Sequence, residues 1–106
     1  MYPSTVLISE VKMEDDEIEL ALKMVDYLVS NKVTGNHKKS KDTVISYSAI
    51  PTHAEGDARD VLDKMARNPP PIEEYGGGHR ENVRLTSIQD GVDFIEDHGG
   101  DPPWGF

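Results

Sequence analysis

Apolar residues recur along this chain at helical spacing in three places, and those stripes define most of its elements. In "DDEIELALKMVDYLVSNK", residues 15 to 32, the positions Ile18, Ala21, Leu22, Val25, Leu28 and Val29 fall on one face of an amphipathic helix. Acids from Glu14 to Glu17 crowd its first turn, where the partial positive charge of the helix dipole favours them, and Lys32 closes the far end. The aperiodic "NKVTGNHKKSK" reads as an exposed loop over residues 31 to 41. For "DTVISYSAI" both helix and strand remain open, because Asp42 can cap a helix while Thr43, Val44, Ile45 and Tyr47 are β-formers; a short helix is preferred.

Ile50-Pro51 turns the chain, and "THAE" reads as a capping box between Thr52 and Glu55. Behind it Ala54, Ala58, Val61, Leu62 and Met65 form the second stripe, which Asn68 and the prolines after it end. Ile72, Tyr75, Val83 and Leu85 then flank a tip holding Gly76, Gly77 and Gly78, the pattern of an antiparallel hairpin. Thr86 with Gln89 makes a further capping box, and Ile88, Val92 and Ile95 give a last helix ending at Gly99-Gly100. The predicted order is helix, helix, helix, hairpin, helix, an α+β fold that is mostly α.

With 106 residues, one domain and one core are expected, over residues 14–100, flanked by an N-terminal extension (1–13) and a C-terminal tail (101–106). The tail "DPPWGF" is broken by Pro and Gly yet apolar, which suits packing on a surface or on a partner. The start "MYPSTVLISEVKMEDDE" carries no signal-peptide pattern, so the expected location is cytoplasmic and no membrane partner is expected. Without cysteine there are no disulfides or thiolate sites.

The formal net charge of -9 argues against a general polyanion binder, but the charge is segregated. Acid is concentrated before Asp26 and after Thr86, whereas Lys32, Lys38, Lys39 and Lys41 cluster around a single Asp42. His37, His53, His79 and His98 lie on separate elements without an HxxxH pair, so neither a metal nor a cofactor is expected. "GGG" lacks the Lys-Ser or Lys-Thr of a phosphate-binding loop, and no nucleophile elbow is present; the chain does not read as an enzyme.

In "VLDKMARNPPPIEEYGGGHRENVRLTSIQDGVDFIEDHG" an apolar strand start, a Gly/Arg tip and the run Arg84, Leu85, Thr86 to Gly91 follow a helix. This resembles a winged helix-turn-helix domain of the prokaryotic and archaeal transcription-regulator type. The resemblance implies three helices, a β-hairpin wing and a C-terminal helix, with residues 52 to 67 as recognition helix in a major groove. It implies double-stranded DNA as partner, contacted by Thr52, His53, Asp57 and Arg59 on that helix and by His79 and Arg80 at the wing tip. Lys38, Lys39 and Lys41 would anchor phosphates, and a homodimer would form through the N-terminal segment, the first helix or the tail.

The acidic balance also resembles proteins of halophilic archaea. Glu55, Asp57, Asp60 and Asp63 on the presumed recognition helix keep a different reading open, a protein-binding winged helix or a DNA mimic using that helix and the aromatic tail.

Overall fold

In a computed structural model the described residues are 14–35, 37–74, 82–101 and 103. They form an α+β fold dominated by helices: α1 (Asp15–Ser30), β1 (Lys39–Ser40), α2 (Lys41–Tyr47), a 3-10 turn (Thr52–Ala54), α3 (Glu55–Ala66), β2 (Ile72–Glu74), β3 (Asn82–Leu85) and α4 (Ile88–Asp97). The expected helices and hairpin strands are present, and of residues 42 to 50 those up to Tyr47 are helix while Ser48 to Ile50 turn the chain.

At the start of α1, the Glu14 side chain accepts from the backbone of Glu17 while the Glu17 carboxylate accepts from Glu14 N at 3.1 Å. Two otherwise orphaned donors are thereby satisfied. Its far end is a Schellman turn: Val33 N donates to Leu28 O (3.0 Å) and Lys32 N to Val29 O (3.1 Å), with Lys32 left-handed at φ 53°. The buried face is rotated from the expected stripe towards Leu20 and Met24, so Ile18 and Leu22 are only half-buried.

Two of the expected caps shift. Thr52 lies inside the 3-10 turn, whose Ala54 N donates to Pro51 O at 2.9 Å, so Ala54 rather than Thr52 precedes α3 and the "THAE" box does not form. Thr86 N still extends the strand ladder by donating to Pro71 O at 2.8 Å. The cap of α4 therefore falls one residue later, on Ser87, whose Oγ accepts from Asp90 N at 3.0 Å.

The small sheet has the order β1-β3-β2 and both pairings are antiparallel, with Lys39 opposite Val83 and Ile72 opposite Leu85. β3 is thus central, and Val83 and Leu85 alternate inward while Asn82 and Arg84 are half-buried. The residues joining β2 to β3, including the glycine tip, lie outside those described. A loop edge is added where Leu85 N donates to Val33 O at 2.7 Å and Thr34 bridges Leu85.

Met24 and Leu28 of α1, Leu62 of α3, Ile72, Leu85 and Ile95 are the largest of the wholly buried side chains, so the core lies where the helices meet the inner face of the sheet. α4 closes this core against α1 and β3. The approach is close enough that a Cβ on Gly91 would stand 2.6 Å from a Val29 methyl. No helix among the described residues is long and apolar enough to cross a membrane.

Candidate nucleic-acid interface

α2 and α3 form a two-helix unit joined by a turn. Ser40 caps α2 by accepting from Thr43 N at 3.1 Å, and Ser48 caps its other end while its hydroxyl donates back to Val44 O. Ala49, left-handed at φ 59°, and Ile50-Pro51 then reverse the chain into α3. Ala58, Val61, Leu62, Met65 and Ala66 pin α3 to the core, and this sets which side faces outward. Thr52, His53, Glu55, Gly56, Asp57 and Asp60 are exposed along that side.

The cations expected to meet phosphate are differently placed. Lys38 is exposed, Lys39 is half-buried in β1, and Arg59 pairs with Asp42 across the α2–α3 unit. Lys41 corrects the reading of an exposed loop to residue 41. It opens α2, its side chain is 6% exposed, and its ammonium lies 2.8 Å from Asp63 Oδ1 and 3.2 Å from Glu74 Oε2. Burial alone would push the Lys41 ammonium towards neutrality. The hydrogen bonds and charges of Asp63 and Glu74 outweigh that and hold it above the ordinary lysine value, so it stays charged and engaged inside the fold. His79 and Arg80 lie outside the described residues.

Sequence periodicity missed β1, because two residues carry no alternation to detect; Ser40 as a cap before "KDT" was the available signal. It also missed the framework pairs. Arg84 donates to Glu73 Oε2 at 2.8 Å directly across the β2–β3 register and also to Gly35 O, tying the hairpin to the loop after α1. Lys64 meets Glu17 at 3.1 Å and ties α3 to α1.

An acidic groove of about 310 Å³ lies beside α3, lined by Glu14, Asp16, Glu17, Leu20, Asp57 and Asp60. Among the described residues no three His, Cys, Asp or Glu side chains are grouped to hold a metal ion. What the arrangement offers chemically is exposed hydrogen-bonding groups on a helix packed against the core, carboxylates more than cations, beside the β2–β3 pair. No family model matches the chain, and no curated protein or solved structure matches it.

Proposed function

We propose that this chain is a winged helix-turn-helix protein that binds double-stranded DNA and acts as a small transcription regulator, with no enzymatic activity. The observation that carries the reading is the order β1-β3-β2. The strand that leads into α2 pairs with the second strand of the hairpin, so the hairpin stands as a wing beside the two-helix unit. A helix presented outward and a wing at its flank can follow a groove and the adjoining phosphate backbone together.

In this reading α3 enters the major groove by its N-terminal end, where Thr52 and His53 reach base edges and Asp57 accepts from a cytosine amino group. Lys38 and Lys39 approach phosphate, and His79 and Arg80 do so from the wing tip. Arg59 reaches the backbone by exchanging Asp42 for phosphate. Lys41 is part of the frame rather than the contact surface.

The exposed carboxylates make salt the controlling variable. Near molar ionic strength the Debye length falls to about 3 Å, which removes most of the repulsion between α3 and phosphate. That is the condition a chain of halophilic composition is suited to.

Fluorescence-anisotropy titration against the chain's own upstream duplex and a scrambled duplex, from low to near-molar KCl, tests the proposal. Selective binding that holds or strengthens with salt supports it; equal or absent binding to both duplexes at every salt concentration overturns it. A second reading, a module that takes a basic protein partner, is favoured by the exposed Glu55, Asp57 and Asp60 and predicts that a basic peptide binds and that salt weakens the binding.

A further inference from the structure

α4 ends in a Schellman turn: Gly99 is left-handed at φ 82°, its N donates to Glu96 O at 3.1 Å, and Gly100 N donates to Ile95 O at 2.8 Å. The turn sets the chain against α1, where a Cβ on Gly100 would stand 3.5 Å from a Leu22 methyl. Leu22 is also one edge of an open groove of about 490 Å³ across the outer face of α1. The other edge is the stacked pair Tyr27 and Tyr47, with ring centroids 6.3 Å apart and 15° between planes. Tyr47 is 71% exposed, the one large apolar side chain so exposed among the described residues. Ser48 and Ala49 continue that edge, so the groove reaches the turn between α2 and α3.

We propose that residues 104–106 of the same chain occupy this groove, with the Trp104 ring laid against Tyr47. The approach begins at the groove's edge, because Gly100 abuts Leu22, and Pro103 is half-buried rather than projecting into solvent. From Leu22 to the tyrosines is about 10 Å across α1 and about 7.5 Å along it. The four residues from Gly100 to Trp104 span up to about 13 Å, to which the indole adds its own length, so the ring reaches Tyr47. An indole buries about 150–250 Å², the largest apolar gain this chain's surface residues offer the groove. Pro102 and Pro103 fix their own φ, which lowers the entropy lost on seating. Tethering places the segment at millimolar effective concentration, an advantage no free partner has. The segment before Glu14 starts about 12 Å further along α1, beside the acidic groove at α3, and is the poorer occupant. Seated there, residues 104–106 cover the turn that leads into α3 and tie the chain after α4 to the two-helix unit.

This inference does not rest on DNA binding and is tested without DNA. Trp104 is the chain's one tryptophan, so emission and acrylamide quenching of the full chain read its surroundings directly. In wild type its emission is expected to be blue-shifted and its quenching several-fold weaker than in the urea-unfolded chain, at every protein concentration. Tyr47→Ala, at an exposed site with the fold checked by circular dichroism, is expected to lower the seated-to-free ratio about ten-fold, while Tyr47→Phe keeps the ring and the shelter. Ser30→Arg, which fills the groove from α1, should expose Trp104 likewise. A Trp104 quenched as in the unfolded chain overturns the proposal, as does a shelter that survives both Tyr47→Ala and Ser30→Arg. Shelter that appears only as protein concentration rises overturns it too, since the segment then seats on a second copy.

Discussion

The Lys41 ammonium lies 2.8 Å from the Asp63 carboxylate and also 3.2 Å from Glu74, so one buried charge joins the start of α2, the last turn of α3 and the strand that leads into the hairpin. Removing the ammonium leaves two half-buried carboxylates without their counter-charge. Breaking a fully buried pair costs about 3–5 kcal/mol, but these carboxylates keep 29% and 21% of their exposure, so Lys41→Met is expected to cost about 2 kcal/mol in chemical denaturation. Adding Asp63→Asn and Glu74→Gln to that variant should recover part of the loss. Full wild-type stability in Lys41→Met would mean that the charge contributes nothing to holding α2, α3 and β2 together.

The same group sets a stability change at alkaline pH. Its folded pKa is raised above the ordinary 10.5, so its contribution is complete below 10.5 and is lost as pH rises through the folded value. Wild type should therefore lose stability faster than Lys41→Met in that window, with the two denaturation midpoints converging. Parallel curves would show that the ammonium carries no pH-linked stability.

Glu17 acts at the other end of the scale. Accepting from Glu14 N, and then from Lys64, lowers its pKa below 4.5, so its contribution is present above 4.5 and is lost as pH falls through the folded value. Glu17→Gln should flatten the fall of Tm with pH below 4.5 relative to wild type. An unchanged slope would assign the acid sensitivity to other carboxylates.

These framework pairs also mark the limit of sequence reading. Leu28, Val61, Leu62 and Ile95 betray their burial by spacing, because a helix face repeats. The rotation of α1 towards Leu20 and Met24 depends on where α3 and α4 press, which α1's own spacing does not contain. Lys41 looks like its neighbours Lys38 and Lys39 in a basic run, and only the fold separates a buried strut from the exposed Lys38 and the half-buried Lys39. Ser87 took the cap from Thr86 because the hairpin ladder runs one residue further, a tertiary fact. In the candidate site, Thr52, His53 and Asp57 come out exposed as expected, whereas the Arg59–Asp42 pair joins residues 17 positions apart that no local pattern connects.

Two backbone positions give opposite expectations for small substitutions. Lys32 holds a left-handed conformation at φ 53° that L side chains resist, so Lys32→Gly should stabilise the chain by about 0.5–1 kcal/mol. Gly91→Ala would gain about 1 kcal/mol of helix propensity, yet its Cβ meets Val29 at 2.6 Å and Leu85 at 3.2 Å, and overpacking costs about 1–3 kcal/mol. A net loss near 1 kcal/mol is expected. Stabilisation by Gly91→Ala would mean that α4 can move away from α1 without penalty.

The acids on α3 give the last expectation, because they oppose phosphate in the DNA-binding reading and attract a partner in the other. Asp57 and Asp60 are both exposed, and a charge about 8 Å from a phosphate in water contributes about 0.5 kcal/mol of repulsion, or about two-fold in affinity. Asp60→Asn should therefore strengthen duplex binding about two-fold at low salt and leave it unchanged near molar KCl, where that repulsion is screened. Asp57→Asn should show the same gain offset by the lost cytosine contact, so its affinity for the upstream duplex rises less than its affinity for the scrambled one. Arg80→Ala, and Lys38→Ala with Lys39→Ala, should weaken both duplexes alike, since phosphate contacts carry no sequence. If neutralising Asp60 weakens duplex binding instead, the carboxylate is itself a contact to a base, as Asp57 is in this reading.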